Sequence, residues 1–369
     1  MPRHCPGIAP SVSRQGPRQY PPRKTIPQPK EHELKTIIRL AALALALSLS
    51  ATGPALAQQA KKTWKVGAAV YGLKAEFAQL WVNALKKHPL VKDGTVKLTV
   101  FDGKYDALTQ NNQFETMITQ KYDGILFVPI DLQAGADAVS KAAEANIPVV
   151  GSNGRVNSDK LLSYVGSNDV IAGAMQAQAV VDAMGGKGNV VILEGPIGQS
   201  GQVERRQGNL SVLAKYPNVK VLEMKTANWS RAEALSLTEN WLTAHAGKIN
   251  GIIGQNDEMA LGAIEAVKAK GLDPKTIPTA GIDGVSDAVR AVKAGIMASV
   301  LQDASAQSQG ALDVLLRKLI GASYKPRSAM WAQYGAAGLQ WDDGAARAYN
   351  IPWTPITLQN ADALLAQRK

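Results

Sequence analysis

Cysteine is all but missing: the 369 residues contain one, Cys5. The rest of the chain can form no internal disulfide and offers neither a thiol nucleophile nor a thiolate metal site. Histidine is nearly as scarce, and only His88 and His245 follow residue 57. Both read as solvated positions in or beside amphipathic helices, away from any strand end, so the commonest general base and metal ligand is not where chemistry would need it. Aromatic residues make up only 5% and are not interleaved with a Lys/Arg cluster, which argues against a nucleic-acid surface. The glycine-rich stretch GPIGQSG (195–201) lacks the lysine and hydroxyl residue of a phosphate-cradling loop. A carboxylate pair such as Asp283 and Asp303 could serve acid–base work, but with no activated nucleophile and no metal-ligand spacing beside it. No enzyme, metal or cofactor is expected.

Long apolar runs are lacking too. Residues 34–57, LKTIIRLAALALALSLSATGPALA, combine Lys35 and Arg39, an apolar stretch from Leu40 to Leu49 and the small-residue ending Ala55-Leu56-Ala57. This reads as a secretory signal peptide cut after Ala57, because the stretch falls short of the roughly 20 residues that span a bilayer. Residues 1–33 are rich in Pro and Arg and poor in large aliphatics. They read either as a disordered extension or as a start site assigned too far upstream, with Leu34 at the true initiator. Residues 1–57 hold eight of the Lys and Arg and two of the Asp and Glu, so the remainder carries +5 rather than +11. That modest excess gives little support to a polyanionic partner. An exported chain without cysteine beyond the cut points to the periplasm.

What is present is an alternation. From Thr63 onward, nine short apolar or β-branched runs (WKVGAAV, VKLTVF, GILFVP, IPVVG, GNVVILEG, VKVLEM, NGIIGQ, IPTAGID, MASVLQ) are separated by segments with helical spacing. That rhythm predicts parallel sheets covered by helices on both faces, and nine strands with a break near 163–169 predict two similar α/β lobes. In such sheets ligands bind beyond the carboxyl ends of the strands. Polar residues gather there: Asn153 after IPVVG, Arg205 beyond VVILEG, Gln255-Asn256-Asp257 after GIIG, Asp283 after IPTAGI, and Gln302 after MASVL. One of Asn256 and Asp257 suffices to cap the following helix, which leaves a side chain for another partner. Together these residues supply the donor and acceptor mixture that hydroxyl groups require. Phe77 and Trp229 flank strand-to-helix connections and are candidates for stacking on a sugar face, or for the core.

QNDEMALGA (255–263), GIDG (281–284), VLQ (300–302), NIPVVGSN (146–153), YVGSND (164–169) and ERRQGN (204–209) resemble, in order, the ribose-binding-protein family of periplasmic sugar receptors for ABC transporters. The resemblance implies two Rossmann-like lobes joined by three hinge crossings, the type I periplasmic binding fold. It implies hydrogen bonds to sugar hydroxyls from Asn256, Asp283, Gln302 and Arg205, with Phe77 and Trp229 sandwiching the ring and Asn153 on the facing lobe. Asn153 and Gly154 stand where ribose receptors carry aspartate and arginine, so another monosaccharide or a sugar alcohol is expected. The crossings are expected near Ser167, Asp303 and Tyr334. This gives a first lobe of 63–167 plus 303–333 and a second of 168–302 plus 334–369. Trp331 or Trp341, in the final segment, is a candidate to approach the cleft. The implied partners are a membrane permease or, alternatively, a chemoreceptor or sensor kinase, with the receptor itself a monomer. Repressors with the same two-lobed core need a helix-turn-helix where the leader stands.

Overall fold

The computed structural model describes residues 62–368, with a few positions nearer the N-terminus (16, 17, 19, 21–25 and 27). The leader read over 34–57 lies outside the described residues. All nine apolar runs form strands: β1 Trp64–Val70, β2 Val96–Asp102, β3 Gly124–Val128, β4 Val149–Ser152, β6 Gly188–Glu194, β7 Val219–Thr226, β8 Gly251–Gly254, β9 Thr279–Asp283 and β10 Ala298–Leu301. Three more come from segments without a strand signature: β5 Ser163–Gly166, β11 Ala348–Asn350 and β12 Thr354–Pro355.

The strands make two six-stranded sheets, ordered β11-β5-β4-β3-β1-β2 and β12-β10-β9-β8-β6-β7. Every pairing is parallel except that of β12 with β10. The central strands are buried along their whole length, as GILFV of β3 and TAGID of β9 illustrate, because helices cover both faces of each sheet. The helix Glu76–Lys86 turns Phe77, Ala78, Trp81, Val82 and Leu85 inward at helical spacing, and Trp81 also donates to Ser152 Oγ at 3.1 Å.

The chain passes between the lobes three times: after β5, after β10, and between β11 and β12. The third crossing therefore follows Asn350 and does not fall near Tyr334. The helix Ala304–Ile320 lies against β3, β4 and β5 of the first sheet. Residues 334–347 stay over it, held by Arg317 on Asp343 and by Arg347 on the Leu161 and Asp159 carbonyls, until β11 joins β5. Tyr334 itself is tied by its hydroxyl to Asp303 at 2.8 Å.

Two further expectations are corrected here. His88 is fully buried rather than solvated. Its Nδ1 accepts from the Leu90 N–H, so Nε2 carries the proton and donates to Asp313 at 3.2 Å. Asp313 also takes the Tyr324 hydroxyl, the amides of Arg327 and Ser328, and Trp331 Nε1. Trp331 and Trp341 lie edge to face at 4.7 Å in this cluster, with Tyr349 on Trp331, and neither lines the cleft between the lobes.

Candidate ligand-binding cleft

The cleft is built from strand ends. Tyr71, Asn153 and Gly154 follow β1 and β4, and Phe77 enters from the second residue of the helix Glu76–Lys86. From the second lobe come Gln199, Gly201 and Arg205 after β6, Trp229 after β7, Asn256 after β8 and Asp283 at the end of β9, while Asp169 and Gln302 stand at the first and second crossings. All twelve line one cavity, which encloses about 360 Å³ when the open space at its mouth is included. All seven residues singled out from the sequence (Phe77, Asn153, Arg205, Trp229, Asn256, Asp283 and Gln302) are thus brought together. Tyr71, Asp169 and Gln199 were missed, although each sits at a strand end or a crossing.

The three polar residues after β8 divide the labour. Asn256 is the cap of the helix Asp257–Ala269, its Oδ1 accepting from the Met259 N–H at 2.9 Å, while its Nδ2 has no partner among the described residues. Asp257 does not cap that helix. It takes the Gly284 and Val285 amides and the Ser299 hydroxyl, lashing the ends of β9 and β10 to β8. Burial raises its carboxyl to about 6 against the pull of these donors. A Cβ on Gly281 would come within 2.3 Å of Asp257 Oδ1, which explains the glycine of GIDG. Gln255 accepts from the Gly195 N–H and donates to the Gln202 carbonyl, tying β8 to β6.

Arg205 is the centre of the charge arrangement. Its Nε donates to Asp169 at 2.6 Å, Nη1 to the Gln255 carbonyl at 2.6 Å and Nη2 to Gln302 Oε1 at 3.2 Å. Its guanidinium carbon lies 5.4 Å from the Trp229 ring centre and 5.9 Å from that of Trp353. Burial opposes its charge, but Asp169 and Asp283 outweigh that and hold it above its ordinary value.

Asp283 is different. Its nearest cation, Arg205 Nη1, is 3.8 Å away and already committed, and no hydrogen-bond donor reaches its carboxylate among the described residues. Burial therefore pushes its carboxyl well above the ordinary range; Arg205 opposes this, while Asp257 and Asp169 add to it. Gln302, 2% exposed, spends Oε1 on Arg205 and leaves Nε2 buried without a partner among the described residues. The hydroxyl of Tyr71 is likewise unbonded among the described residues, and burial, then Tyr105 and Asp283, hold its proton on.

The aromatic walls are fixed by small residues and by one another. Trp229 adopts a left-handed backbone (φ 59°), and its ring covers Gly195, where a Cβ would stand 2.0 Å from it. Its Nε1 donates to Gln199, whose Nε2 crosses the cleft to the Pro129 carbonyl at 3.0 Å. On the facing lobe Asn153, also left-handed (φ 62°), donates to Gln307 at 3.4 Å, and Gly154 contributes no side chain. Among the described residues no His, Cys, Asp or Glu group is arranged to hold a metal.

Two doubly wound lobes with polar strand ends and facing aromatics around a cleft between them define a solute-binding protein. A model of the periplasmic binding protein domain matches residues 66–323, and the chain belongs to that family, as a ribose-binding-like periplasmic sugar-binding protein. It is 35% identical over 275 residues to the xylitol-binding protein of Mycolicibacterium smegmatis, a match covering 74% of this chain and 77% of that one. It is 33% identical over 259 residues to a putative rhizopine-binding protein of Rhizobium meliloti, covering 68% and 83%. Its fold is similar to that of an ABC transporter solute binding protein from Bacillus halodurans with bound myo-inositol. The TM-score is 0.72 at 26% identity, over 83% of this chain and 99% of that one. All three are named as binding proteins, the last as one of an ABC transporter.

Proposed function

We propose that this protein captures a neutral sugar alcohol, cyclitol or monosaccharide between its lobes in the periplasm and hands it to the permease of an ABC importer. The observation that carries the reading is the pairing of unspent groups around one cavity: the acceptor carboxylate of Asp283 beside the donors Gln302 Nε2 and Asn256 Nδ2. A hydroxyl group both donates and accepts, so a polyhydroxylated molecule satisfies all of them at once. Phe77 and Trp229, from opposite lobes, offer apolar faces to its carbon skeleton. The first lobe contributes only neutral groups here, Tyr71, Asn153 and Gly154. A site without the aspartate and arginine of ribose receptors favours a ligand other than ribose, and the similarity to a xylitol-binding protein supports a sugar alcohol.

Groups from both lobes contact the ligand only when the lobes meet, so binding shifts the population toward the closed form, which a permease reads. Residues 34–57 serve as the export leader and the receptor works as a monomer. A chemoreceptor or sensor kinase reading the same closed surface is the alternative use. The test is a thermal-shift and calorimetric screen against xylitol, ribitol, myo-inositol, ribose and aldohexoses. A ligand at 100 times its Kd adds about 2.7 kcal/mol to the folded state. Stabilisation by a polyol is expected, and a flat response to the whole set would refute the reading.

A further inference from the structure

The lobes are hydrogen-bonded to each other across the cleft in two places. In one, several groups share the load: the Arg155 N–H donates to Ser200 Oγ at 2.7 Å, the Leu132 N–H to the Gly198 carbonyl at 3.2 Å, and Gln199 to the Pro129 carbonyl. In the other a single side chain does the joining. Glu76 of the first lobe accepts, through Oε1, both the N–H of Ser286 (3.0 Å) and its hydroxyl, and Ser286 belongs to the second lobe.

Ser286 opens the helix Ser286–Lys293, and the residue before it, Val285, has no side-chain oxygen with which to cap. The first amides of a helix have no partner within it. Here the acceptor comes from the opposite lobe and carries a full negative charge, which also favours the positive end of the helix dipole. A second observation places a cation at the same junction. Arg368, beyond the last helix, lies against Gly284, its Nη2 3.5 Å from where a Cβ of that glycine would stand. Its Nη1 is buried without a hydrogen-bond partner among the described residues, and Glu76 is the acid that acts on it most strongly.

We propose that Glu76 and Ser286 form an interlobe latch: a helix cap that exists only in the closed form and sets ligand affinity without touching the ligand. The inference rests on the receptor reading above, since it assigns the latch to ligand-driven closure. When the lobes part, Glu76 and the Ser286 amide both return to water. The difference between the two states is then the contribution of the interlobe cap, with the Arg368 guanidinium beside it. Glu76 lies one residue before Phe77, so seating the aromatic wall and setting the latch are the same movement of one helix end.

The test uses the full chain carrying Cys5→Ser, with spin labels at Asp137→Cys on the first lobe and Asn240→Cys on the second. The interlobe distance distribution is recorded with and without a polyol identified in the screen, alongside Kd and the Tm of the ligand-free protein. Glu76→Ala is expected to weaken binding about five- to thirty-fold, mainly through faster release, and to lower the closed fraction at subsaturating ligand. The ligand-free Tm should stay unchanged, and Glu76→Gln, which keeps a neutral acceptor, should fall between. Ser286→Ala reports the hydroxyl half of the contact separately. An unchanged affinity and closed fraction in Glu76→Ala would overturn the latch, as would a loss matched by an equal fall in ligand-free stability, which marks a purely local role. Failure of the parent protein to bind any polyol would instead refute the receptor reading, and the ligand-free closed fraction of Glu76→Ala relative to the parent still judges the latch, which a parent that never closes would also overturn.

Discussion

Asp283→Asn is expected to make the ligand-free protein more stable and the ligand weaker, two effects of opposite sign from one isosteric change. Asp283 is buried with no donor on its carboxylate among the described residues, and Arg205, 3.8 Å off, already serves Asp169. Burying an incompletely paired carboxylate costs several kcal/mol, part of which Arg205 returns. Removing the charge should therefore stabilise the ligand-free fold by about 1–2 kcal/mol, or raise Tm by roughly 2–8 °C for a chain of this size. A hydroxyl bonded to a carboxylate contributes about 1.5–3 kcal/mol, so the loss in affinity should be about 10- to 150-fold. The pH dependence fixes the sign independently. The folded-state carboxyl titrates above its unfolded value, so the folded protein holds this proton more tightly. That contribution to stability is complete below the unfolded value, about 4, and is lost as pH rises toward the folded one. The Tm advantage of Asp283→Asn should accordingly be larger at pH 7.5 than at pH 4.5. Ligand binding to the parent near the folded-state value should release protons, visible by calorimetry in buffers of different ionisation enthalpy. Destabilisation by Asp283→Asn, or unchanged affinity, would refute the reasoning.

The remaining predictions concern single groups. Gln302→Glu keeps an acceptor for Arg205 but removes the unspent donor Nε2; polyol affinity should drop about ten-fold or more, with ligand-free Tm maintained, as read by calorimetry and differential scanning. Tyr71→Phe deletes a hydroxyl that bonds to no described residue, so Kd should rise about three- to ten-fold while ligand-free stability is unaffected. Trp331→Ala breaks the bond to Asp313 and the contacts with Trp341 and Tyr349 far from the cavity. It should cost about 2–4 kcal/mol of stability and leave Kd within about two-fold, an outcome a direct ligand contact would contradict.

Residues whose role follows from their own neighbours in sequence were legible; those whose role depends on a distant partner were not. The nine strand runs could be read because parallel strands covered on both faces are nearly continuous apolar stretches, and the polar residue that ends each run is where a cleft must lie. β11 and β12, three and two residues long, have no periodicity of their own and exist only because β5 and β10 offer an edge. Missing β11 is what displaced the third crossing. His88 sits in a stretch that looks like a solvated helix end, and its partner Asp313 is 225 residues away. Tyr71 extends an apolar run and so resembles core, although it lines the cavity. Asp169 opens a helix with the look of a first-turn acid, and only the fold reveals that it holds Arg205.

On the proposed reading, Arg205 is what would make binding and closure one event in this chain. The first crossing passes Asp169, which holds Nε, and the second passes Gln302, which holds Nη2. The third passes Trp353, whose ring lies 5.9 Å from the guanidinium and whose Nε1 donates to the Asn168 carbonyl of the first crossing at 2.7 Å. One buried cation thus lies against all three segments that join the lobes. Of its five N–H groups three are spent on the protein, two of them on the first and second crossings and one on the Gln255 carbonyl. Asp283 and Gln302, the groups left for a ligand, are its immediate neighbours. Hydroxyls that settle on those two groups act directly on the network that fixes the crossings. On that reading the contacts that recognise the solute would also set the angle between the lobes, and a solute that fits the second lobe but leaves Gln302 unbonded would bind without bringing the first lobe over it.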